Sequence, residues 1–304
     1  MKPSLEGKVA VVSGATRGCG RAIAVELGAL GATVFAAGRT TRARRSEMNR
    51  PETIEETAEL VSEAGGTGVA VRCDFLDQKD VDALRDRVVA EAGGTVDVLV
   101  DDVWGGDPFI DWDTPFWEQD IERSVRVWRG GLETHLRTLH ALLPLVTAAP
   151  GGLVVEVTDG VADGNSGSLV YDQVKAGVRR LASGLSEQVP RQGATALAAT
   201  PGFLRSEAML DHFGVTEDTW RDGVKRDPHF VLSETPRLLG RGIAALAADD
   251  GKARWNGRIV TSYALADAYD LKDVDGTRPD WPRWLDEVVD GGLDPNTVDP
   301  AGYR

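Results

Sequence analysis

The sequence predicts an α/β chain: a Rossmann-like, doubly wound parallel sheet of about seven strands flanked by helices. Two observations carry this expectation. Short apolar runs of strand length alternate with longer segments of helical period, the rhythm of strands joined by crossover helices. Three glycines stand at the first strand–helix junction, where such a fold makes its tightest turn.

The elements follow in order. KVAVVSG (8–14) reads as a buried strand, RAIAVELGALG (21–31) as a helix closing on glycine and ATVFAAG (32–38) as a second strand. PETIEETAELVSEAGG (51–66) opens with proline at a helix start and ends on a glycine pair. TGVAVRCD (67–74) is a third strand, KDVDALRDRVVAEAGG (79–94) a helix and VDVLVDDV (96–103) a fourth strand. Residues 116–146 read as one long helix, GGLVVEVTD (151–159) as a strand, 170–189 as a helix and ATALAATPG (194–202) as a strand entering a loop. Residues 203–232 read as an irregular lid with short helices, 235–249 as a helix and GRIVTSYAL (257–265) as the last strand. Residues 1–265 form a single cofactor-binding and catalytic domain in this reading. The acidic remainder, 266–304, is an extension packed on the body and anchored by Trp281 and Trp284.

Composition bounds the function. The 304 residues are 42% hydrophobic and 27% charged, the balance of a soluble globular protein. No run of about 18 apolar residues occurs, so no membrane span is expected, and the N-terminus enters a strand directly rather than reading as a signal peptide. Two cysteines, Cys19 and Cys73, are too few for a disulfide framework and predict buried thiols in a reducing cytoplasm. His135, His140, His212 and His229 show no metal-ligand spacing, so no metal is expected. A net charge of −14 argues against nucleic acid or an anionic membrane as partner. The segment RTTRARRSEMNR (39–50), with five arginines and one acid, is a local exception that suits an anion.

In SGATRGCGRAIA (13–24), Gly14, Gly18 and Gly20 let backbone N–H groups approach an anion, and the helix that follows adds its positive end. The pyrophosphate of a dinucleotide fits here. At the end of the second strand an acid would bind a ribose 2′-hydroxyl, but the residues are Ala36, Ala37, Gly38 and Arg39. Arg39 and Arg17 are instead two guanidiniums suited to a 2′-phosphate, with Thr40, Arg42 and Arg44 at hand. NADP(H) is therefore expected ahead of NAD(H). Asp74, after the third strand, stands where the adenine would lie.

Tyr171 and Lys175 are one helical turn apart and share a face. The Lys175 ammonium predicts a lowered Tyr171 pKa. Such a tyrosine gives a proton to a carbonyl oxygen while hydride arrives at its carbon, and takes one in reverse.

With these residues the chain resembles the short-chain dehydrogenase/reductase (SDR) family over about residues 6–265: the glycines of SGATRGCG, Asp74, DDVWGG (101–106), YDQVK (171–175) and PG (201–202). The resemblance implies a nicotinamide cofactor and a homodimer or homotetramer built on the two long helices. It places the cofactor against Gly14, Thr16, Arg17, Gly18, Cys19, Gly20, Arg39, Thr40, Asp74, Phe75, Asp102, Val103, Trp104, Tyr171, Lys175, Pro201, Gly202, Phe203 and Ser206. The Ser206 hydroxyl falls where the family contacts the nicotinamide carboxamide.

The chain also departs from the family pattern. Asp101, Asp102, Val103 and Trp104 replace the usual Asn-Asn-Ala-Gly, and Val127 or Gly131 stands in place of the helical asparagine of the proton relay. The family serine that orients the substrate oxygen is replaced by Thr158 or Asp159. Thr158 would act through its hydroxyl. Asp159 would act if protonated, and if ionised it would pair with a cationic substrate such as an amine or iminium. Ser166 and Ser168 are the next candidates. Trp104, Phe109, Trp112, Phe116 and Trp117, with lid residues Phe203, His212, Phe213, Trp220 and Phe230, suit a bulky, apolar or ring-containing small molecule. The expected activity is NADP(H)-dependent interconversion of a carbonyl and an alcohol. The alternatives are an NADP(H)-binding sensor without redox turnover, and a non-redox family member such as a dehydratase or epimerase.

Overall fold

The structure, a computed structural model, describes residues 4–161 and 166–304. Its strands are β1 (Val9–Ser13), β2 (Thr33–Gly38), β3 (Thr67–Arg72), β4 (Val98–Asp101), β5 (Leu153–Val157), β6 (Thr195–Thr200) and β7 (Ile259–Thr261). They form one seven-stranded parallel sheet in the order β3-β2-β1-β4-β5-β6-β7. The helices are α1 (Gly18–Ala29), α2 (Ile54–Glu63), α3 (Gln78–Ala92), α4 (Ile121–Trp128), α5 (Thr134–Val146), α6 (Leu169–Gln188), α7 (Glu207–Phe213), α8 (Pro236–Ala247), α9 (Ser262–Ala268) and α10 (Trp281–Trp284). Among the described residues no helix is long and apolar enough to cross a membrane.

The period of two along each strand divides the apolar residues between two cores. Ala10, Val12, Val34, Val100 and Val155 face one side, where Ile23 of α1 and Leu239 and Ile243 of α8 cover them. Val11, Phe35, Leu99 and Val154 face the other, against Leu84 of α3, Leu142 of α5 and Leu185 of α6. Burying an aliphatic side chain of this size contributes about 1.5–3 kcal/mol, so both faces must be covered for the sheet to stand. The register sets Ser13, Asp101 and Glu156 side by side across β1, β4 and β5, a polar row at the carboxyl rim of an otherwise apolar sheet.

Three element boundaries differ from the sequence expectation. Pro51 does not open α2; Thr53 does, its hydroxyl accepting from the Glu56 N–H at 3.2 Å in a Thr-x-x-Glu arrangement. The long helix begins at Ile121, after the Asp120 carboxylate caps it by accepting from the Glu122 N–H at 2.9 Å. That helix is also interrupted by a π turn over Arg129–Glu133, where the pair Gly130–Gly131 relaxes the normal spacing. The last strand stops at Thr261, whose hydroxyl caps α9 by accepting from the Ala264 N–H at 3.0 Å.

Beyond α9 the chain folds back on the lid. Trp284 is fully buried with Leu232, Val288 and Tyr303, and its indole N–H donates to His229 Nδ1 at 3.1 Å.

Candidate active site

A cleft of about 1210 Å³ runs along the carboxyl rim of the sheet, across the point between β1 and β4 where strand order reverses. Small-molecule sites usually enclose about 300–1,000 Å³, so this one has room for a dinucleotide beside a second molecule. The expected cofactor and catalytic residues line the cleft except Gly20, which lies in the floor of its phosphate end. Of the expected aromatic walls, Trp104, Phe109, Trp112 and Phe203 line it, whereas Phe116 and Trp117 are exposed outside it and Phe213, Trp220 and Phe230 pack together inside the lid.

At that end the site is made of backbone. Gly14 has φ +77° and packs against the Asp102 carbonyl so closely that a Cβ would overlap it. Gly20 lies equally close to the Gly14 carbonyl, and Gly18 has φ +56°. Only glycine fits at 14 and 20, and the left-handed φ of Gly18 favours glycine there too; the result is a concave set of N–H groups at the start of α1. This cradle fits the pyrophosphate of the nicotinamide cofactor that the sequence implies. The Gly18 N–H donates to Glu207 Oε2 at 2.9 Å, so a carboxylate from the lid helix takes a place suited to a phosphate oxygen. The sequence gives no sign of this contact, because Gly18 and Glu207 are 189 residues apart.

Farther along, Arg17 and Arg39 both line the cleft. Burial holds the Arg17 guanidinium below its ordinary value, against the opposing charges of Asp107, Glu52 and Glu207. Arg39 Nη1 donates to Glu47 at 2.9 Å. The expected help from Arg42 and Arg44 is not there. Arg42 pairs with Glu59 at 2.5 Å on the outer surface, and the Arg44 peptide closes a turn with Thr41. Two arginines of the α4 region, Arg126 and Arg129, line the cleft instead. Asp74 Oδ1 accepts from the Leu76 N–H at 3.1 Å, and Phe75 is buried beside it. Ser206 caps α7, its oxygen accepting from the Met209 N–H at 3.3 Å. Gly202 packs against Trp281 of the C-terminal extension, which reaches the cleft and meets Phe203 edge-on at 5.3 Å.

The substrate end is made of side chains. Tyr171 and Lys175 sit on one face of α6 and both line the cleft. The Tyr171 hydroxyl donates to Asp159 Oδ2 at 2.6 Å. Lys175 Nζ lies 4.4 Å from the centre of the Trp104 ring and 5.5 Å from that of Tyr171. The expected acidification of Tyr171 by Lys175 is therefore reversed. Burial and then the Asp159 charge push its hydroxyl well above the usual range, because the ammonium lies over ring faces while the carboxylate holds the hydroxyl. Thr158 lines the cleft but is buried, and its hydroxyl donates to the Lys175 carbonyl at 2.9 Å, tying β5 to α6. The Ser166 hydroxyl donates to Asp172 at 2.5 Å, and Ser168 is buried at the start of α6. Trp104 and Trp112 flank Tyr171 with ring centres 5.5 and 5.3 Å away. The Trp104 indole N–H donates to Asp107. Its ring fills the space that a Cβ on Gly131 would need, and Val127 is buried against Val170 and Val174, so neither relay position offers a hydrogen-bonding side chain.

Beneath the floor lies a cluster that spacing did not reveal. His135 Nδ1 is 2.7 Å from Glu156 Oε2 and 3.7 Å from Asp101 Oδ2, and Nε2 is 3.1 Å from the Val103 carbonyl. Burial opposes a charge on His135, but the two carboxylates outweigh it and raise its pKa to about 9. Burial raises Asp102 to about 7 despite Lys175 nearby. Cys19 and Cys73 are buried free thiols, both pushed up by burial.

Comparison with known proteins identifies the family. The sequence model of the short chain dehydrogenase family matches residues 8–213. Dehydrogenase/reductase SDR family member 1 of Mus musculus is 32% identical over 280 residues, covering 91% of this chain and 86% of that protein. The 7alpha-hydroxysteroid dehydrogenase of Clostridium sardiniense is 26% identical, over 81% of this chain and 88% of its own. Among solved structures, L-sorbose reductase of Gluconobacter frateurii, complexed with NADPH and L-sorbose, superposes with a TM-score of 0.71 at 20% identity, over 91% of this chain and 98% of that one. A glycine cradle, a tyrosine–lysine face and a family match across two thirds of the sequence agree, and the chain belongs to the short-chain dehydrogenases, the NAD(P)-dependent oxidoreductases of SDR type.

Proposed function

We propose that the chain is an NADP(H)-dependent reductase that interconverts a carbonyl and an alcohol on a bulky, apolar or ring-containing small molecule. The observation that carries this reading is one cleft with the glycine cradle and Arg39 at one end and Tyr171 and Lys175 at the other. The nicotinamide cofactor supplies hydride donation and acceptance. Gly14, Gly18 and Gly20 would hold its phosphates, and Arg17 and Arg39 a 2′-phosphate, with Glu47 giving up its bond to Arg39. Tyr171 gives or takes the proton at the substrate oxygen. Lys175 and the Thr158 bond fix the helix face that carries Tyr171. Trp104, Trp112 and Trp281 exclude water and provide flat apolar walls. The NADPH complex of the sorbose reductase and the ring substrate in the name of the hydroxysteroid dehydrogenase support both halves of this reading.

The test is fluorescence titration with NADPH and NADH for wild type and Arg39→Ala, then turnover of a carbonyl panel with the better cofactor. Arg39→Ala should weaken NADPH roughly tenfold and leave NADH unchanged, the loss expected for one charge-assisted contact. Tyr171→Phe should reduce turnover by about 10²–10⁴-fold while cofactor still binds. Equal affinity of wild type for the two cofactors would refute the NADP(H) assignment.

An apolar stripe on the outer side of α4 and α5 supports a homodimer. Ile121, Val125, Trp128 and Leu136 recur at helical spacing and are 58%, 42%, 38% and 46% exposed. Wild type should sediment as a dimer or tetramer and Trp128→Glu as a smaller species; a wild-type monomer would dismiss the assembly.

A further inference from the structure

We propose that this site also accepts iminium and amine substrates, and prefers a cationic carbon–nitrogen centre to a neutral carbonyl of the same shape, with Asp159 as the selecting residue. The inference rests on the oxidoreductase reading above and goes beyond its carbonyl chemistry.

Asp159 follows β5 at the mouth of the substrate end, exposed to the cleft, and accepts the Tyr171 hydroxyl at 2.6 Å. A carbonyl oxygen placed to receive the Tyr171 proton would have to break that bond. It would then develop negative charge beside a carboxylate, an unfavourable pairing. An iminium reverses both effects. Its N–H donates to the carboxylate, its positive charge is paired, and it needs no proton from Tyr171. In the step, the iminium carbon accepts hydride and the C=N π pair passes to nitrogen. The product is a neutral amine, which then takes a proton from water or from Tyr171. The reverse begins from the neutral amine and returns hydride to the oxidised cofactor.

The walls suit the same charge. Trp104 already carries the Lys175 ammonium 4.4 Å from its ring centre. Trp112, 48% exposed, presents its ring to the cleft 5.3 Å from Tyr171. A second carboxylate, Asp107, lines the same end. Of the cations nearby, Lys175 lies over the aromatic rings, and Arg179 Nη1 donates to the Asp159 backbone carbonyl at 2.9 Å.

The experiment measures binding first. Protein loaded with oxidised NADP is titrated, by calorimetry, with N-methylbenzylammonium and with its neutral isostere benzyl methyl ether, for wild type and Asp159→Asn. Wild type should bind the cation roughly two- to fivefold tighter than the ether, the scale of one solvent-accessible ion pair. Asp159→Asn should abolish the preference while leaving ether affinity unchanged. A cyclic imine and the matching ketone are then compared as substrates of the wild-type protein with NADPH. Equal wild-type affinity for cation and ether, or an unchanged preference in Asp159→Asn, overturns the proposal whether or not ketones turn over. A preference that depends on Asp159, without turnover of either substrate, upholds the selectivity and counts against the reductase reading instead. Faster turnover of the ketone than of the imine overturns the proposed preference and leaves the carbonyl reading standing.

Discussion

The two ends of the cleft are built from different material. The phosphate end is backbone: glycines at positive φ, the first turn of α1 and the Asp102 carbonyl pressed against Gly14. The substrate end is side chains from distant segments: Asp159 on Tyr171, Lys175 over Trp104, and Trp281 from the extension against Phe203. The backbone positions tolerate little substitution: a Cβ at Gly14 or Gly20 would overlap main chain, and Gly18 takes a left-handed φ. Side-chain sites carry no such main-chain constraint, since their groups meet through contacts between separate segments.

If the two ends are independent, damage to one should spare the other. The largest effect is expected at Arg205, the fully buried anchor of the lid. It pairs with Glu217 at 3.0 Å and Asp275 at 3.6 Å, and lies 4.2 Å from the Trp220 ring centre. Arg205→Met leaves the buried Asp273 carboxylate, 3.9 Å away, without its cation and should cost about 3–5 kcal/mol in urea unfolding. NADPH titration of the folded variant should be unchanged; loss of cofactor binding together with lid stability would show that the ends are coupled.

The boundary between the ends holds the next effect, on pH. Burial raises Glu234 to about 8 and Asp102 to about 7, and the carboxylates around His135 raise it to about 9. Each group binds its proton more tightly folded than unfolded. Each contribution is therefore fully present below the unfolded value and is lost as pH rises through the folded one. Thermal unfolding midpoints should fall steadily from about pH 5 to pH 9, since a tenfold difference in proton affinity between the folded and unfolded chain is worth about 1.4 kcal/mol. Midpoints that rise over that range would contradict the buried clusters.

The smallest effect concerns the contact that joins the two ends. Glu207 of the lid helix occupies the Gly18 N–H. Glu207→Gln removes the competing charge and should tighten cofactor binding by roughly two- to fivefold, the scale of one charge at a helix N-terminus. Weaker binding would mean that Glu207 assists the cofactor rather than competing with it.

The fold was legible in the chain because strand length, apolar runs and glycine turns are local properties that the backbone obeys wherever they occur. Those same properties located the cradle, and YDQVK marked the face of α6. The errors in boundaries came from capping residues, Thr53, Asp120 and Thr261, which outweighed proline placement and periodicity.

By itself the sequence determined the parallel sheet, the phosphate cradle and the tyrosine–lysine face, each set by residues close together in the chain. Only the tertiary structure decided that Asp159 holds the Tyr171 hydroxyl while Thr158 faces the Lys175 carbonyl. Only it decided that Glu207 meets Gly18 and that Asp101, His135 and Glu156 share one buried cluster. These pairings join separate segments. Their energies depend on burial and on charges brought near by folding, and no local pattern in the chain encodes either.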